Sequence, residues 1–293
     1  MMQEKPAAQV EEVCKFLGHT PAFLSLTKYL EGRTTSSSDL GRLSRKMQPL
    51  LLLLAFLLPS EPATGIIMGG HEAKPHSHPY MAWIQIMDEE MPSRCGGVLV
   101  QEDFVLTAAH CWGSSVKVTL GAHNIKKQER TQQVISVIET IPHPHYNPKK
   151  FSNDIMLLKL ERKAMQTAAV RPLSLPRGQA QVRPGEVCHL AGWGQVNPRG
   201  RLSDTLQEVE LTVQQDQVCK SQLDNYYNST TQLCVGDPKE KKSSFKGDSG
   251  GPLVCKNVIQ GIVSYGRISR TSPRAFTKVS SFLPWLNKMM KSL

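Results

Sequence analysis

Phe245-Lys246-Gly247-Asp248-Ser249-Gly250-Gly251-Pro252-Leu253 holds the serine around which the rest of this chain can be arranged. A hydroxyl nucleophile needs small neighbours and a base supplied from elsewhere in the sequence. The glycines allow a tight turn and bring N–H groups close to a reacting carbonyl. Alone, Gly-Asp-Ser-Gly is also compatible with an ordinary turn. Two further motifs change that balance. Leu106-Thr107-Ala108-Ala109-His110-Cys111 offers a histidine, and Asn153-Asp154-Ile155-Met156-Leu157-Leu158 offers an aspartate. The chain order His, Asp, Ser is one of those in which hydrolytic triads occur.

At these three motifs the chain resembles the chymotrypsin-like serine proteases, and the likeness extends over residues 67–293. It implies an all-β fold: two antiparallel six-stranded β-barrels, with a catalytic cleft between them and a C-terminal helix. The first barrel would cover about 67–175, the second about 176–280 and the helix about 281–293. By the same resemblance, His110 takes the proton of Ser249, and Asp154 fixes the imidazole tautomer and stabilises its cation. The backbone N–H groups of Gly247 and Ser249 would form the oxyanion hole. A histidine suits the role because its ordinary pKa is about 6.5.

The residues themselves read as short strands divided by turns. Candidates are 81–86, 97–100, 116–121, 133–138, 154–160, 187–193, 206–213, 251–255 and 259–265. Many short strands with Gly/Pro punctuation suggest a sandwich or barrel. Ile141-Pro142-His143-Pro144 rules out a helix there. One helix is expected, at the C-terminus. Phe282, Trp285, Leu286, Met289, Met290 and Leu293 recur at helical spacing, with Ser280 or Ser281 as N-cap and Pro284 in the first turn.

The N-terminal part has another character. Arg42, Arg45 and Lys46 precede the apolar run Leu50 to Leu58, and small residues follow. This is the layout of a secretory leader over 47–64, too short to span a bilayer. Residues 1–46 then form an alternative-start or non-native extension with an unstructured Ser/Thr tract, Met47 being the expected start. The other reading keeps the extension and makes the leucine run a weak anchor. Of seven cysteines, Cys14 lies in the extension; Cys95, Cys111, Cys188, Cys219, Cys234 and Cys255 form an even set in a secreted context. Their pairing is open on sequence alone. The family resemblance implies Cys95–Cys111, Cys188–Cys255 and Cys219–Cys234.

The formal net charge of +10 predicts attraction to polyanions. Basic runs occur at Lys126-Lys127, Lys149-Lys150, Lys239 with Lys241-Lys242, and Lys288 with Lys291. With the secreted context, they point to sulfated proteoglycan and away from nucleic acid. Asn228-Ser229-Thr230 is an N-glycosylation sequon. His143 and His145 have metal-binding spacing but no third ligand nearby, so neither a metal nor a cofactor is expected.

Asp248 has a family role as well. A carboxylate beside the nucleophile pairs with a new N-terminal amine, here that of Ile67 in Ile67-Met68-Gly69-Gly70. A start at Ile66 would shift the amine by roughly 3.5 Å. Cleavage after Thr64 leaves the propeptide Gly65-Ile66, which a dipeptidyl peptidase would remove. Such relatives usually carry a propeptide ending in an acid; Ile66 departs from that pattern.

Within the family the chain resembles the granzyme, cathepsin G and chymase branch. One mark is Phe245, where many relatives have a cysteine. The resemblance lines the specificity pocket with Ser243, Ser244, Ser264, Tyr265, Gly266 and the run Pro273-Arg274-Ala275-Phe276. Arg274 in the pocket would repel basic side chains and pair with a carboxylate. Together with Gly121-Ala122-His123-Asn124-Ile125 and Cys234-Val235-Gly236-Asp237-Pro238, it points to granzymes that cut after aspartate and act in cytotoxic-lymphocyte killing by apoptosis. The implied setting is secretion and the cytolytic granule, with serpin-type inhibitors as partners. The alternatives are a chymase-like enzyme cutting after large apolar residues and an inactive polyanion-binding homologue.

Overall fold

The computed structural model describes residues 69–87, 92–178, 182–195, 201–223, 226–240, 242–244, 246–267 and 273–293. The expected extension, leader, dipeptide Gly65-Ile66, terminus Ile67 and marker Phe245 lie outside the described residues, as do Cys14 and Lys241.

The fold is chymotrypsin-like. Strands β2 (Met81–Met87), β3 (Ser93–Gln101), β4 (Phe104–Thr107), β5 (Ser115–Leu120), β6 (Gln133–Pro142) and β7 (Met156–Leu160) close into a barrel of order β2-β3-β4-β7-β6-β5. Alternation drives the closure. Ala82, Ile84 and Ile86 of β2 and Val116, Val118 and Leu120 of β5 point inward and are buried.

The second half contains β8 (Val187–Gly192), β9 (Gln207–Thr212), β10 (Gln232–Val235), β11 (Pro252–Cys255), β12 (Val258–Gly266) and β13 (Arg274–Lys278). The sheet order is β1-β9-β8-β11-β12-β13-β10, with β1 (His71–Glu72) added at the edge. Its other six strands return on themselves: Val213 bridges Val235, Gln214 N–H donates to Cys234 O at 2.8 Å, and Gly236 N–H donates to Thr212 O at 2.8 Å.

Two helices are described, α1 (Asp216–Gln222) and α2 (Leu283–Ser292). The chain enters α2 through a single 3-10 turn, Val279–Phe282, and Pro284 sits in the first turn. The expected serine cap does not form. Phe282 holds the N-cap position without a side-chain cap, and Ser281 Oγ donates to Thr230 O at 2.7 Å instead. Phe282, Leu286 and Met290 join the apolar cluster of the first barrel, with Val254, Ile259 and Ile262 from the second sheet. The helix thus straps one half to the other.

Three disulfides form: Cys95–Cys111, Cys188–Cys255 and Cys219–Cys234. Each lies within one half of the molecule.

Five elements were not expected from the sequence, the two-residue β1 among them. β4, β10, β13 and α1 have no alternating pattern to reveal them. All four residues of β4 and of β10 are buried, so each is a short run, mostly apolar, without an alternating period. α1 is seven residues long and lacks a side-chain cap. The strand expected from Asp154 begins at Met156, leaving Asp154 on a loop.

Candidate active site

His110 sits on a 3-10 turn, Ala109–Cys111, directly after β4 and pinned by the Cys95–Cys111 bridge. Its Nδ1 lies 2.8 Å from Asp154 Oδ2, and its backbone N–H donates to Asp154 Oδ1 at 2.9 Å. An Nδ1 facing a carboxylate carries the hydrogen, which leaves Nε2 as the acceptor of a neutral ring. Asp154 is fully buried. Ser264 Oγ donates to its Oδ2 at 2.5 Å, and Thr277 Oγ1 donates to its backbone carbonyl at 2.7 Å. Ser264, expected to line the pocket, therefore spends its hydroxyl on Asp154. The loop before Asp154 is bent through left-handed residues, with φ of 49° at Phe151 and 54° at Asn153. Such backbone persists only where surroundings fix it.

The Ser249 loop docks onto the first barrel. Gly96 N–H of β3 donates to Ser249 O at 2.8 Å. A side chain at Gly250 would collide with Thr107 Oγ1 and Gly96 O, so only glycine allows this approach. The loop brings Ser249 beside the Cys95–Cys111 turn that carries His110. Among the described residues no hydrogen bond joins Ser249 Oγ to His110. Gly247 has φ 97° and Gly250 φ 78°. The N–H groups of Gly247 and Ser249 donate to no backbone carbonyl among the described residues.

Asp248 is fully buried, with Oδ1 accepting Gly194 N–H at 2.9 Å. A Cβ at Gly192 or Gly194 would occupy the carboxylate's own space. This cradle was missed in the sequence, where the only signal is Ala191-Gly192-Trp193-Gly194. The chain reaches the site from the N-terminus past Gly69, packed on Lys242, into β1, where His71 pairs with Glu208 of β9.

Ser243 and Ser244 are buried. Arg274 Nε donates to Ser243 Oγ at 2.8 Å, and Ser243 Oγ donates to Ser244 O at 3.0 Å. Arg274 begins β13 opposite Gly266 of β12, where a Cβ would lie 2.7 Å from its Cγ. Burial lowers the guanidinium's pKa below its usual value, and the charge of Asp248 opposes the shift. Ala275 and Phe276 are buried behind it. Ser244 Oγ is buried without a partner among the described residues.

Beside His110 an aromatic wall continues the cleft. The Phe151 ring stands edge-on to His110, centroids 5.8 Å apart, and stacks on Tyr265 at 5.5 Å. These two rings, with Leu223 and Tyr226, line a pocket of about 260 Å³ that Lys149, Lys150 and Arg267 make basic. The Phe151 wall was not legible in the sequence, since nothing in its spacing from Asp154 fixes the ring's direction.

No cofactor or metal set is assembled among the described residues. Cys95, His110 and Cys111 have ligand atoms close together, but both sulfurs are consumed by the disulfide. His143 packs edge-on against Phe282 and Trp285, and its ring lies 5.8 Å from that of His145. Asn228 is exposed, and its Oδ1 accepts the Thr230 N–H at 3.0 Å and the Thr230 hydroxyl.

The sequence profile of the family described as Trypsin matches residues 67–286. The chain is 66% identical to human granzyme B over 245 residues, 84% of this chain and 99% of that protein. It is 62% identical to human granzyme H over 247 residues, 84% and 100% of the two chains. Human cathepsin G is 56% identical over 246 residues, 84% and 96%. A solved structure described as "Structure of GrC" superposes with a TM-score of 0.75 at 57% identity, covering 77% of this chain and all of that one.

Proposed function

This chain belongs to the trypsin family of serine proteases and is a peptide hydrolase, and from that premise we propose a granzyme B-like endopeptidase that cuts after aspartate. The observation that carries the reading is Arg274, whose Nε is fixed on Ser243 Oγ at 2.8 Å beside Gly266. A guanidinium held in one plane favours a carboxylate and disfavours lysine or arginine.

In this reading His110 Nε2 takes the Ser249 proton as Oγ attacks the scissile carbonyl, then returns it to the leaving amine. Asp154 holds the tautomer, and its 2.8 Å contact supports that role. The amides of Gly247 and Ser249 receive the oxyanion; losing one such donor costs about 2.7–4 kcal/mol of transition-state stabilisation. Asp248 pairs with the amine of Ile67 once Gly65-Ile66 is removed by a dipeptidyl peptidase. The buried cradle at Gly192 and Gly194 favours this, because a buried carboxylate deprived of its cation loses roughly 3–5 kcal/mol.

Secretion through the leader, storage in cytolytic granules, glycosylation at Asn228 and a part in apoptosis extend the same reading. The net charge of +10 favours sulfated proteoglycan as a carrier. Serpin-type inhibitors fit a serine nucleophile.

The test is a matched peptide series on the chain trimmed to Ile67, ending in Asp, Asn, Phe, Met or Lys at the cut. Cleavage after Asp should exceed all others. Equal or better cutting after Phe would replace the reading with a chymase-like one. Failure of an organophosphonate to label Ser249 would replace it with an inactive binding homologue.

A further inference from the structure

Gln232 is a buried polar side chain that the mechanism above does not use. It lies on β10, paired in register with Thr277 of β13. Its Nε2 donates to Phe151 O at 3.3 Å, crossing from the second half to the loop that carries Asp154. Its Oε1 accepts the Asn228 N–H at 2.9 Å and the Tyr265 hydroxyl at 3.3 Å. One amide therefore holds, from behind, both residues whose rings stack at 5.5 Å to wall the cleft.

The two contacts answer separate needs. Phe151 is held at φ 49°, a conformation that an unbranched L-residue leaves unless something retains it. Its carbonyl has the Gln232 amide as a donor, and its ring stands against His110. Tyr265 is pushed up to about 12 by burial, with the Gln232 contact opposing, so its hydroxyl stays protonated and donates throughout the neutral range. The neighbouring rung, Thr277 to Asp154 O, fixes the same loop three residues later.

We propose that Gln232 is a positioning residue that sets the separation of the Phe151 and Tyr265 rings, and through them the grip on the substrate segment preceding the cut. The proposal rests on the reading that peptide occupies the cleft beside His110, and it is independent of which residue is cut.

The test compares wild type, Q232M and Q232E, each as the full trimmed chain, on two substrates with the same residue at the cut. One is a tetrapeptide amide that fills the cleft. The other is a single-residue thioester that does not reach it. The pair is built on whichever residue the wild type accepts, so failure of the aspartate reading leaves this test intact. In Q232M all three amide contacts vanish, those to Phe151 and Tyr265 among them, and KM for the tetrapeptide should rise by at least the roughly two- to tenfold of one ordinary hydrogen bond, with kcat and the thioester little changed. In Q232E the acceptor remains, but the donor exists only while the introduced carboxyl is protonated. The tetrapeptide-to-thioester ratio of kcat/KM should then fall with rising pH relative to wild type. Equal losses on both substrates would reduce Gln232 to a structural residue and overturn the proposal. So would a ratio unchanged in either variant.

Discussion

Arg274 joins a charge, a direction and a location in one side chain. Its Nε contact to Ser243 fixes the guanidinium plane, and Gly266 makes room for its stem. Charge-assisted hydrogen bonds contribute about 1.5–3 kcal/mol, which corresponds to roughly ten- to 150-fold in selectivity. Arg274→Gly should therefore reduce the preference for an Asp peptide over its Asn twin by that factor. Arg274→Lys should restore only part, since an ammonium has no planar fork to be held. Unchanged discrimination in Arg274→Gly would remove this residue from the pocket's chemistry. Arg274 was picked out through the family resemblance, since its spacing alone fits a solvated loop residue equally well. Gly194, Phe151 and Gln232 were not. Their roles come from a carboxylate, a ring or a carbonyl that the fold brings from far along the chain, and no local pattern encodes such meetings.

At the scale of elements, half-buried strands declare themselves by alternation, and β2 and β5 did so. Fully buried runs such as β4 and β10 carry no period, and a seven-residue helix without a cap, α1, leaves almost no trace. The terminal helix was legible by its spacing, but its cap was not, because Ser281 serves the Thr230 carbonyl. That helix also makes a pH prediction possible. His143 sits against Phe282 and Trp285, and burial first, then the charge of His145, holds its pKa below the ordinary 6.5. The folded protein keeps this ring neutral where the unfolded chain already binds a proton. Stability is therefore lost as pH falls through that window and regained as pH rises past 6.5. His143→Gln should lose less stability than the parent between pH about 7.5 and about 5, read as urea midpoints. Parallel losses in the two proteins would show that His143 contributes nothing to acid sensitivity.

Within residues 69–293, two β halves meet at the candidate site. His110 and Asp154 come from the first half, Ser249 and Arg274 from the second, and the contacts between them are hydrogen bonds and packing. Gly96 to Ser249 O, Ser264 and Thr277 to Asp154, and Gln232 to Phe151 O all cross this seam. None of the three disulfides does. Local opening generally requires less free energy than global unfolding. Rising urea should therefore abolish peptide cleavage before the far-ultraviolet circular dichroism of the strands changes. Coincident transitions would mean that the halves separate only as they unfold.

A seam that no disulfide crosses has a consequence for what happens when the protein goes wrong. A copy whose halves are each folded but badly docked would have Ser249 apart from His110 and Asp154, whatever the state of its covalent bridges. Damage to the joint would yield an inert molecule, not an indiscriminate one. For a member of a family of peptide hydrolases, that is a fail-safe written into the way its parts are joined.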